Sequence, residues 1–309
     1  MGQLKIDRLL WDTPKLMGIN MHAQSLRQLI AKPEILVAPG GYDALSAVLI
    51  EQAQFDAMYL SGASIAYTRF GRPDIGLVSM NEVADVISQI RERTELPLIV
   101  DADTGFGNAI NVQRTVRLFE RCGASAIQIE DQQMPKRCGH LKGKTLVSKD
   151  DMVGKIQSAI DARMNEQTMI VARTDAIAVE GFDSAIERAV AYYQAGADML
   201  FIEAPESHQQ MLAMNELFSG KIPLLANMVE GGSTPIESAT YLKNMGYSLV
   251  LFPGALVRAH AFMAQEFLSS LKQSGNTKPF QSKMLNLTQL NELLGTDDIL
   301  ANGRKYQGR

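Results

Sequence analysis

Short apolar runs recur along the chain and alternate with longer amphipathic segments. Eight runs can be identified, at residues 35–38, 57–60, 96–100, 126–129, 169–172, 199–202, 224–226 and 249–252. Most end in a polar or glycine cluster, and a short continuous apolar run is typical of a strand buried on both faces of a sheet. The pattern therefore predicts eight strands separated by helices, as in a parallel α/β protein.

The segments between the runs carry apolar residues three and four positions apart, which places them on one face of a helix. The clearest cover residues 44–53, 81–93, 111–124 and 182–197. In the last two, Gly123 and Gly196 stand where a helix ends in a left-handed residue before the next strand. Eight units in roughly 230 residues favour a closed (β/α)8 TIM-type barrel over a doubly wound sheet. We expect one domain over residues 1–309, with the barrel at about 33–260.

The remaining residues, about 261–309, are predicted to form a helical extension. Residues 261–275 are amphipathic, and residues 288–295 also have a helical pattern. Such an extension can pack on its own barrel or be exchanged with a neighbouring subunit, and the pattern alone leaves both open.

Composition excludes several classes of protein. The chain has 30 basic and 34 acidic side chains and a formal net charge of −4, so nothing favours binding to nucleic acid or to an anionic membrane. Cys122 and Cys138, the only cysteines, are too few for a disulfide framework, which indicates a reducing compartment. No signal-peptide pattern or long apolar segment is present, and we expect a cytoplasmic protein.

Polar residues follow six consecutive predicted strands. Catalytic groups of a barrel lie at the carboxyl ends of its strands, so these residues are candidates for the site. Three carboxylates meeting there would repel one another without a cation, and hard oxygen ligands suit Mg²⁺ or Mn²⁺. Helix capping or pairing with arginine is the alternative for any one acid. The predicted metal site comprises Asp101, Asp103 and Glu130.

A basic loop, residues 134–144, follows the fourth strand. Its composition cannot form a core and indicates a mobile segment able to close over an anionic substrate. Lys136, Arg137 and His140 would favour the thiolate of Cys138 and make it an acid or base near neutral pH. A solvated loop with an incidental cysteine is the alternative, and Cys122 is interpreted as a packing residue.

Two further side chains could bind carboxylates. Arg173 offers a planar fork that matches a carboxylate, although a salt bridge to a neighbouring barrel acid is the alternative. Asn227 could donate to a second carboxylate from the glycine-containing segment that follows the seventh strand.

Seven short motifs, in order over roughly residues 25–275, resemble the isocitrate lyase/phosphoenolpyruvate mutase superfamily. They are YLSG from Tyr59, DADTGFGN from Asp101, IEDQ from Ile129, PKRCGH from Pro135, VARTDA from Val171, IEAP from Ile202 and NMVEGGSTP from Asn227. The chain is most similar to the short carbon–carbon lyases of that superfamily, which act on 2-methylisocitrate or 2,3-dimethylmalate.

The resemblance implies Mg²⁺-dependent cleavage of a 2-hydroxy di- or tricarboxylate, such as 2-methylisocitrate, to pyruvate and succinate. It implies that Asp103 ligates Mg²⁺ directly, that Asp101 and Glu130 hold its waters, and that Cys138 is the acid. Tyr59 and Arg173 would handle the 2-hydroxyl, and Glu130 is counted with the catalytic group. Substrate contacts are expected from Ser61, Gly62, Ala63, Asp74, Lys136, Arg137, Gly139, His140, Glu203 and Asn227.

The resemblance leaves several activities open. Ala63 stands where methylisocitrate lyases usually have glycine, so the pocket is tighter there by a methyl group. The alternatives are a 2,3-dimethylmalate lyase, an oxaloacetate hydrolase or decarboxylase, and a carboxyphosphonoenolpyruvate phosphonomutase-like enzyme. A non-catalytic binding protein is a further alternative. The family pattern also implies a homotetramer, a dimer of dimers, with the terminal helix exchanged between subunits.

Overall fold

A computed structural model describes residues 17–307 of the chain. They fall into two compact units, one that runs through Val257 and contains every strand, and one that begins at Arg258. The prediction of one domain with an extension from about residue 261 stays a prediction. Within the described part of the chain, no helix is long and apolar enough to cross a membrane.

The eight strands form a closed parallel barrel in sequence order. Adjacent strands pair throughout, and β8 returns to β1 with Leu249 opposite Leu36. The barrel prediction is confirmed. The strands are β1 Leu36–Gly41, β2 Met58–Leu60, β3 Leu98–Asp101, β4 Ala126–Glu130, β5 Met169–Thr174, β6 Met199–Ile202, β7 Leu224–Asn227 and β8 Leu249–Phe252.

Helices follow the strands, and several begin at a side-chain cap. Asp43 accepts a hydrogen bond from the Ser46 N–H at the start of α2, and Ser79 and Glu82 form a capping box at α4. Both predicted left-handed helix ends are present, with φ of 104° at Gly123 and 97° at Gly196. The barrel unit contains α1 Met17–Ile30, α2 Ala44–Gln52, α3 Gly62–Ile65, α4 Met80–Arg91, α5 Ala109–Cys122, α6 Lys149–Ala162, α7 Ile177–Glu180, α8 Phe182–Gln194, α9 His208–Phe218 and α10 Ala239–Met245.

Two apolar cores explain why the strands are apolar on both faces. Alternate strand residues, such as Ile99, Val171 and Phe201, fill the barrel interior. Leu26 of α1 belongs to this inner cluster. The other strand residues join the helices in a larger outer core that includes Phe119. Because both faces of the strands are buried, polar groups are confined largely to the strand ends, where the loops begin.

The second unit is helical, as predicted. It contains most of α11 Ala255–Ser274, a 3-10 turn at Lys278–Lys283, α12 Leu287–Leu294 and α13 Thr296–Arg304. The rings of Phe267 and Phe280 pack edge to face at 5.4 Å between centroids.

Candidate active site

The carboxyl ends of the strands surround a pocket with about 460 Å³ of space, its opening included. Fourteen of the sixteen predicted site residues line it; Gly62 and Asp103 do not, but both contact residues that do. Their roles stay predictions, but the structure brings them together. The predicted residues in the lining are Tyr59, Ser61, Ala63, Asp74, Asp101, Glu130, Lys136, Arg137, Cys138, Gly139, His140, Arg173, Glu203 and Asn227.

One edge of the pocket is acidic. A side chain on Gly62 would place its first carbon 3.2 Å from Asp101 Oδ2 and 3.5 Å from Asp103 Oδ1, so both carboxylates face that glycine. Asp103 has a positive φ of 46°, and its N–H donates to Asp101 Oδ1 at 3.1 Å. A left-handed backbone at a non-glycine residue is uncommon and is concentrated at functional sites.

The N–H groups of the Ser61 turn are already engaged. Ser61 N–H donates to the Gly41 carbonyl at 3.2 Å, and Gly62 N–H donates to Asp101 Oδ2 at 3.3 Å. The Ser61 hydroxyl accepts from the Ser64 N–H as the cap of α3. Of the three residues expected to grip a carboxylate by backbone donors, two use those donors within the protein in this structure.

Lys136 lies in the acidic edge. Its Nζ is 2.5 Å from Asp74 Oδ1 and 2.7 Å from Asp103 Oδ1, and its side chain is 4% exposed. Burial opposes the charge, but Asp103 and Asp74 hold the pKa of Lys136 well above its ordinary value. The expectation that Lys136 acts on the Cys138 thiol is wrong in this structure, because the carboxylates take the ammonium.

Cys138 faces the pocket as a thiol. Burial raises its pKa, Asp74 raises it further, and a hydrogen bond involving the His140 backbone lowers it. The thiolate predicted from the basic composition of the loop is therefore wrong. Arg137, also expected to act on the thiol, is exposed and donates to the Lys142 carbonyl at 2.9 Å. A protonated thiol suits a proton donor at neutral pH.

Arg173 is held by carboxylates on three sides. Its Nε and Nη2 donate to Asp175 at 2.9 and 3.1 Å, and Nε lies 3.4 Å from Glu130 Oε2. Nη2 lies 3.5 Å from Glu203 Oε1. Burial lowers the pKa of Arg173, but these acids raise it well above its ordinary value. Arg173 therefore forms the salt bridges to neighbouring barrel acids that were the alternative to a substrate-binding role. Its guanidinium nevertheless lines the pocket.

Glu203 organises the opposite wall of the pocket. Asn227 Nδ2 donates to both of its oxygens at 3.2 Å, so the amide donor expected to bind substrate is used within the protein. Among the described residues, Asn227 Oδ1 has no hydrogen-bond partner and is left as an acceptor. His140 Nε2 lies 3.4 Å from Glu203 Oε1, which adds a third polar side chain to this wall.

Two residues around the site, Gln128 and Lys144, were not predicted, whereas Asp175 was predicted only as one of the polar residues that follow the strands. Gln128 accepts from the Tyr59 hydroxyl at 2.8 Å and donates to Asp101 Oδ1 at 3.3 Å. Asp175 binds Arg173, and Lys144 binds Asp175 at 3.0 Å. Gln128 could have been found, because it is a polar residue inside the apolar run at residues 126–129. No feature of the sequence indicates that Lys144 pairs with Asp175. Burial and the Asp101 charge raise the pKa of Tyr59 well above its ordinary value, so the phenol stays protonated.

The acidic edge fits a hydrated divalent cation. Burial raises the pKa of Asp103 to about 7 and that of Glu130 well above its ordinary value, which indicates carboxylates short of positive charge. Glu130 Oε1 has no hydrogen-bond partner among the described residues. Around the whole site, six buried carboxylates face three buried cations: Asp74, Asp101, Asp103, Glu130, Asp175 and Glu203 against Lys136, Lys144 and Arg173.

The site does not offer a metal ion direct coordination by three or more of these side chains. Within residues 17–307, no three histidine, cysteine, aspartate or glutamate side chains meet in a geometry that could hold a metal ion. Mg²⁺ commonly takes one or two carboxylates directly and keeps several waters, so this donor set suits it. The fold and the site together define a barrel enzyme with a carboxylate edge, a proton-bearing thiol and a basic loop.

Comparison with known proteins identifies the family. The phosphoenolpyruvate phosphomutase family model matches residues 26–272, and the chain belongs to this family. A 2,3-dimethylmalate lyase from Eubacterium barkeri is 43% identical over 90% of this chain and 95% of its own. A 2-methylisocitrate lyase from Aeropyrum pernix is 47% identical over 88% of this chain and 87% of its own. These relatives are carbon–carbon lyases, in agreement with the enzyme class predicted from the sequence.

Solved structures agree on the fold and differ in activity. A 2,3-dimethylmalate lyase of the phosphoenolpyruvate mutase/isocitrate lyase superfamily aligns with a TM-score of 0.86 at 37% identity, covering 93% of this chain and 96% of that one. An oxaloacetate acetylhydrolase with 3,3-difluorooxaloacetate aligns at 0.88 and 32%, covering 94% and 99%. A phosphonopyruvate hydrolase holding oxalate and Mg²⁺ aligns at 0.83 and 29%, covering 92% and 99%.

Proposed function

We propose that this chain cleaves a carbon–carbon bond in a 2-hydroxy di- or tricarboxylate, with 2-methylisocitrate as the preferred substrate. The observation that carries the proposal is the half-buried Cys138 thiol, which faces a pocket whose other edge is carboxylate. The products would be pyruvate and succinate. A thiol kept protonated by burial can donate a proton to the carbon fragment that leaves.

Cleavage of the carbon–carbon bond requires three actions by the protein. The proton must leave the 2-hydroxyl, the charge on the leaving fragment must be stabilised, and that fragment must be protonated. Arg173 lines the pocket as a donor to the hydroxyl oxygen, and Tyr59, whose own O–H donates to Gln128, can accept the hydrogen bond of the substrate hydroxyl. The hydroxyl proton passes to the acidic edge, where Glu130 Oε1 is free to accept it. Cys138 then supplies a proton to the carbon of the succinate fragment.

Mg²⁺ is the proposed cofactor, and Mn²⁺ can replace it. Asp103 would ligate the ion and Asp101 and Glu130 would hold its waters, and the ion would supply positive charge to the 2-hydroxy acid half of the substrate, which leaves as pyruvate. The charge surplus at this edge supports the assignment, because an anionic substrate would otherwise meet unneutralised carboxylates.

The chemistry of the walls supports the choice of substrate. The cationic side chains in the pocket lining, Lys136, Arg137 and Arg173, suit a substrate with more than one carboxylate, because each carries a charge opposite to that of the substrate. Phe201, Val229 and Leu251 add apolar surface, which suits the methyl group of 2-methylisocitrate. We place 2,3-dimethylmalate, which would give pyruvate and propionate, second, because it carries two carboxylates where 2-methylisocitrate carries three. Ala63, which tightens the pocket by a methyl group, favours the smaller substrate.

A different reaction, hydrolysis or decarboxylation of oxaloacetate, is the alternative to a lyase activity. It is favoured by one observation, the structural similarity to an oxaloacetate acetylhydrolase. Hydrolysis of oxaloacetate gives oxalate and acetate, and its decarboxylation gives pyruvate and carbon dioxide, so neither reaction gives the succinate that the lyase would release. The products therefore separate the two candidates.

We also propose a homotetramer in which the C-terminal helices are exchanged between subunits. The support is the apolar surface that α11 and α12 present: the side chains of Phe262, Leu268 and Leu287 are 62%, 60% and 77% exposed. Apolar surface of this kind is typical of an interface. A cytoplasmic location is proposed on the composition of the chain alone, which has two cysteines.

A pyruvate assay tests the proposed reaction. Purified protein with Mg²⁺ is offered 2-methylisocitrate, 2,3-dimethylmalate, isocitrate or oxaloacetate; pyruvate is measured through lactate dehydrogenase, and glyoxylate from isocitrate and oxalate from oxaloacetate are measured by chromatography. We expect the highest specificity constant for 2-methylisocitrate. A higher value for 2,3-dimethylmalate would reverse the order of substrates, and turnover confined to oxaloacetate would contradict the lyase proposal.

A further inference from the structure

Lys144, the last residue of the basic loop, has a buried ammonium group. Its side chain is 2% exposed, whereas Lys142, two positions earlier, is exposed. Lys144 Nζ lies 3.0 Å from Asp175 Oδ1 and also donates to the Gly139 carbonyl. Burying an ammonium group is unfavourable unless protein atoms replace the water around it. These two contacts therefore fix the end of the basic loop.

Asp175, the carboxylate that Lys144 contacts, is held in place by the barrel. Asp175 follows β5, and its carboxylate accepts two hydrogen bonds from Arg173, at 2.9 and 3.1 Å. Its own N–H donates to Asp131 Oδ1 at 3.0 Å. Although burial opposes the charge, Arg173 and Lys144 lower the pKa of Asp175 to about 2. Lys144 therefore binds a carboxylate whose position the barrel sets.

The Gly139 carbonyl connects this contact to the thiol, because Gly139 follows Cys138 directly. Gly139 lies against the pocket wall: a side chain there would place its first carbon 2.3 Å from Glu203 Oε1 and 2.4 Å from Arg173 Nη2. Only glycine lets the backbone approach so closely. Lys144 thus joins the peptide beside the thiol to the end of β5.

We propose that Lys144 is a positioning residue for Cys138. By bridging the Gly139 carbonyl and Asp175, it holds the basic loop against the barrel mouth so that the thiol faces the pocket. Its value for catalysis rests on the proposed function, in which Cys138 is the acid. The position of the loop does not, and it can be measured without any substrate.

Alkylation of the thiol separates this role from a purely electrostatic one. Removing the Lys144 charge disfavours a thiolate and would slow alkylation if the loop stayed in place. Opening of the loop exposes the thiol and speeds alkylation. A faster reaction after loss of a positive charge therefore reports movement of the loop.

The experiment compares Lys144→Met with Lys142→Met, both in a Cys122→Ser background so that Cys138 is the only thiol. The rate of carboxamidomethylation by iodoacetamide is followed by mass spectrometry in the absence of substrate. We expect Lys144→Met to react at least about tenfold faster than Lys142→Met, because loss of the buried ion pair lowers the free energy needed to open the basic loop. Equal rates, or a slower rate for Lys144→Met, would overturn the proposal.

Two additions keep the result unambiguous. If Lys144→Met does not fold, Lys144→Gln is compared with Lys142→Gln, and the same excess is expected. With the substrate that the pyruvate assay identifies, kcat of Lys144→Met should fall about tenfold or more while Lys142→Met keeps that of the parent protein. If no substrate is found, the proposed function fails, whereas the alkylation rates still decide the role of Lys144.

Discussion

Cys138 and Cys122 lie in contrasting environments, and this contrast provides an internal control. Cys138 lines the pocket, whereas Cys122 ends α5 and packs against the outer core. We predict that Cys138→Ser lowers kcat for cleavage about 10²- to 10⁴-fold, because a serine hydroxyl is a far weaker acid than the thiol. Cys122→Ser should keep nearly normal turnover. Both variants should still bind pyruvate in the presence of Mg²⁺, as measured by calorimetry. Near-normal turnover of Cys138→Ser would show that Cys138 is not the acid.

Asp103 provides the corresponding test of the metal. We predict that Asp103→Asn weakens binding of Mn²⁺, used as a paramagnetic probe, about tenfold or more, because a charged oxygen ligand becomes neutral. Asp85→Asn, on the exposed face of α4, should bind Mn²⁺ like the unaltered protein. Binding is read by electron paramagnetic resonance, which needs no turnover. Equal affinity in the two variants would exclude Asp103 as a ligand.

Single residues also show how far the sequence reaches into the site. The acids at the strand ends could be predicted, because a polar group that follows a buried apolar run must lie at the barrel mouth. The partners of the basic side chains could not. Composition suggested that Lys136 and Arg137 act on the Cys138 thiol, but Asp74 and Asp103 take the first and the Lys142 carbonyl takes the second. Pairing depends on the folded path of the loop, which periodicity does not encode.

At the scale of elements, β4, β5 and α8 are tied together beside the pocket. Asp131, after β4, accepts from the Thr174 hydroxyl at 2.7 Å and from the Tyr192 hydroxyl at 2.8 Å. Arg188 of α8 lies 3.4 Å from the same carboxylate and donates twice to Glu180 at 2.8 Å. The network fixes the strand ends from which Glu130 and Arg173 reach the pocket.

We predict that Arg188→Met lowers the free energy of unfolding by about 3 kcal/mol, because it leaves the buried Asp131 carboxylate short of a cation. Arg117→Met, on the exposed face of α5, should change it by less than about 0.5 kcal/mol. Urea unfolding followed by circular dichroism measures both. Equal midpoints for the two variants would show that the network contributes no stability.

The elements themselves follow closely from the hydrophobic pattern. The strands predicted at residues 199–202 and 249–252 have the observed bounds, and β1 starts one residue later and ends three later than predicted. That extension runs through Pro39, Gly40 and Gly41, which carry no hydrophobic signal. Backbone pairing with β2 continues the strand there, at Gly40 and Gly41. Short elements set by loop geometry, such as α3 and α7, were not predicted for the same reason.

At the scale of the whole molecule, assembly is the open prediction. We expect the protein to sediment as a tetramer at micromolar concentration and Leu287→Asp to shift it to smaller species, because a charge would enter an apolar interface. Leu287 is 77% exposed on α12. Ile110→Asp, at 76% exposure on α5, is the matched control and should leave the tetramer intact. Sedimentation of the unaltered protein as a monomer would contradict the proposed assembly.

The most direct test of the central claim is the fate of the cleaved bond. The protein is incubated with Mg²⁺ and 2-methylisocitrate in D₂O, and the products are identified by nuclear magnetic resonance. Cleavage with proton donation from the exchangeable Cys138 thiol predicts equal amounts of pyruvate and succinate, with one deuterium on a methylene carbon of each succinate. Absence of both products, with oxaloacetate converted to oxalate and acetate under the same conditions, would contradict the lyase and establish a hydrolase instead.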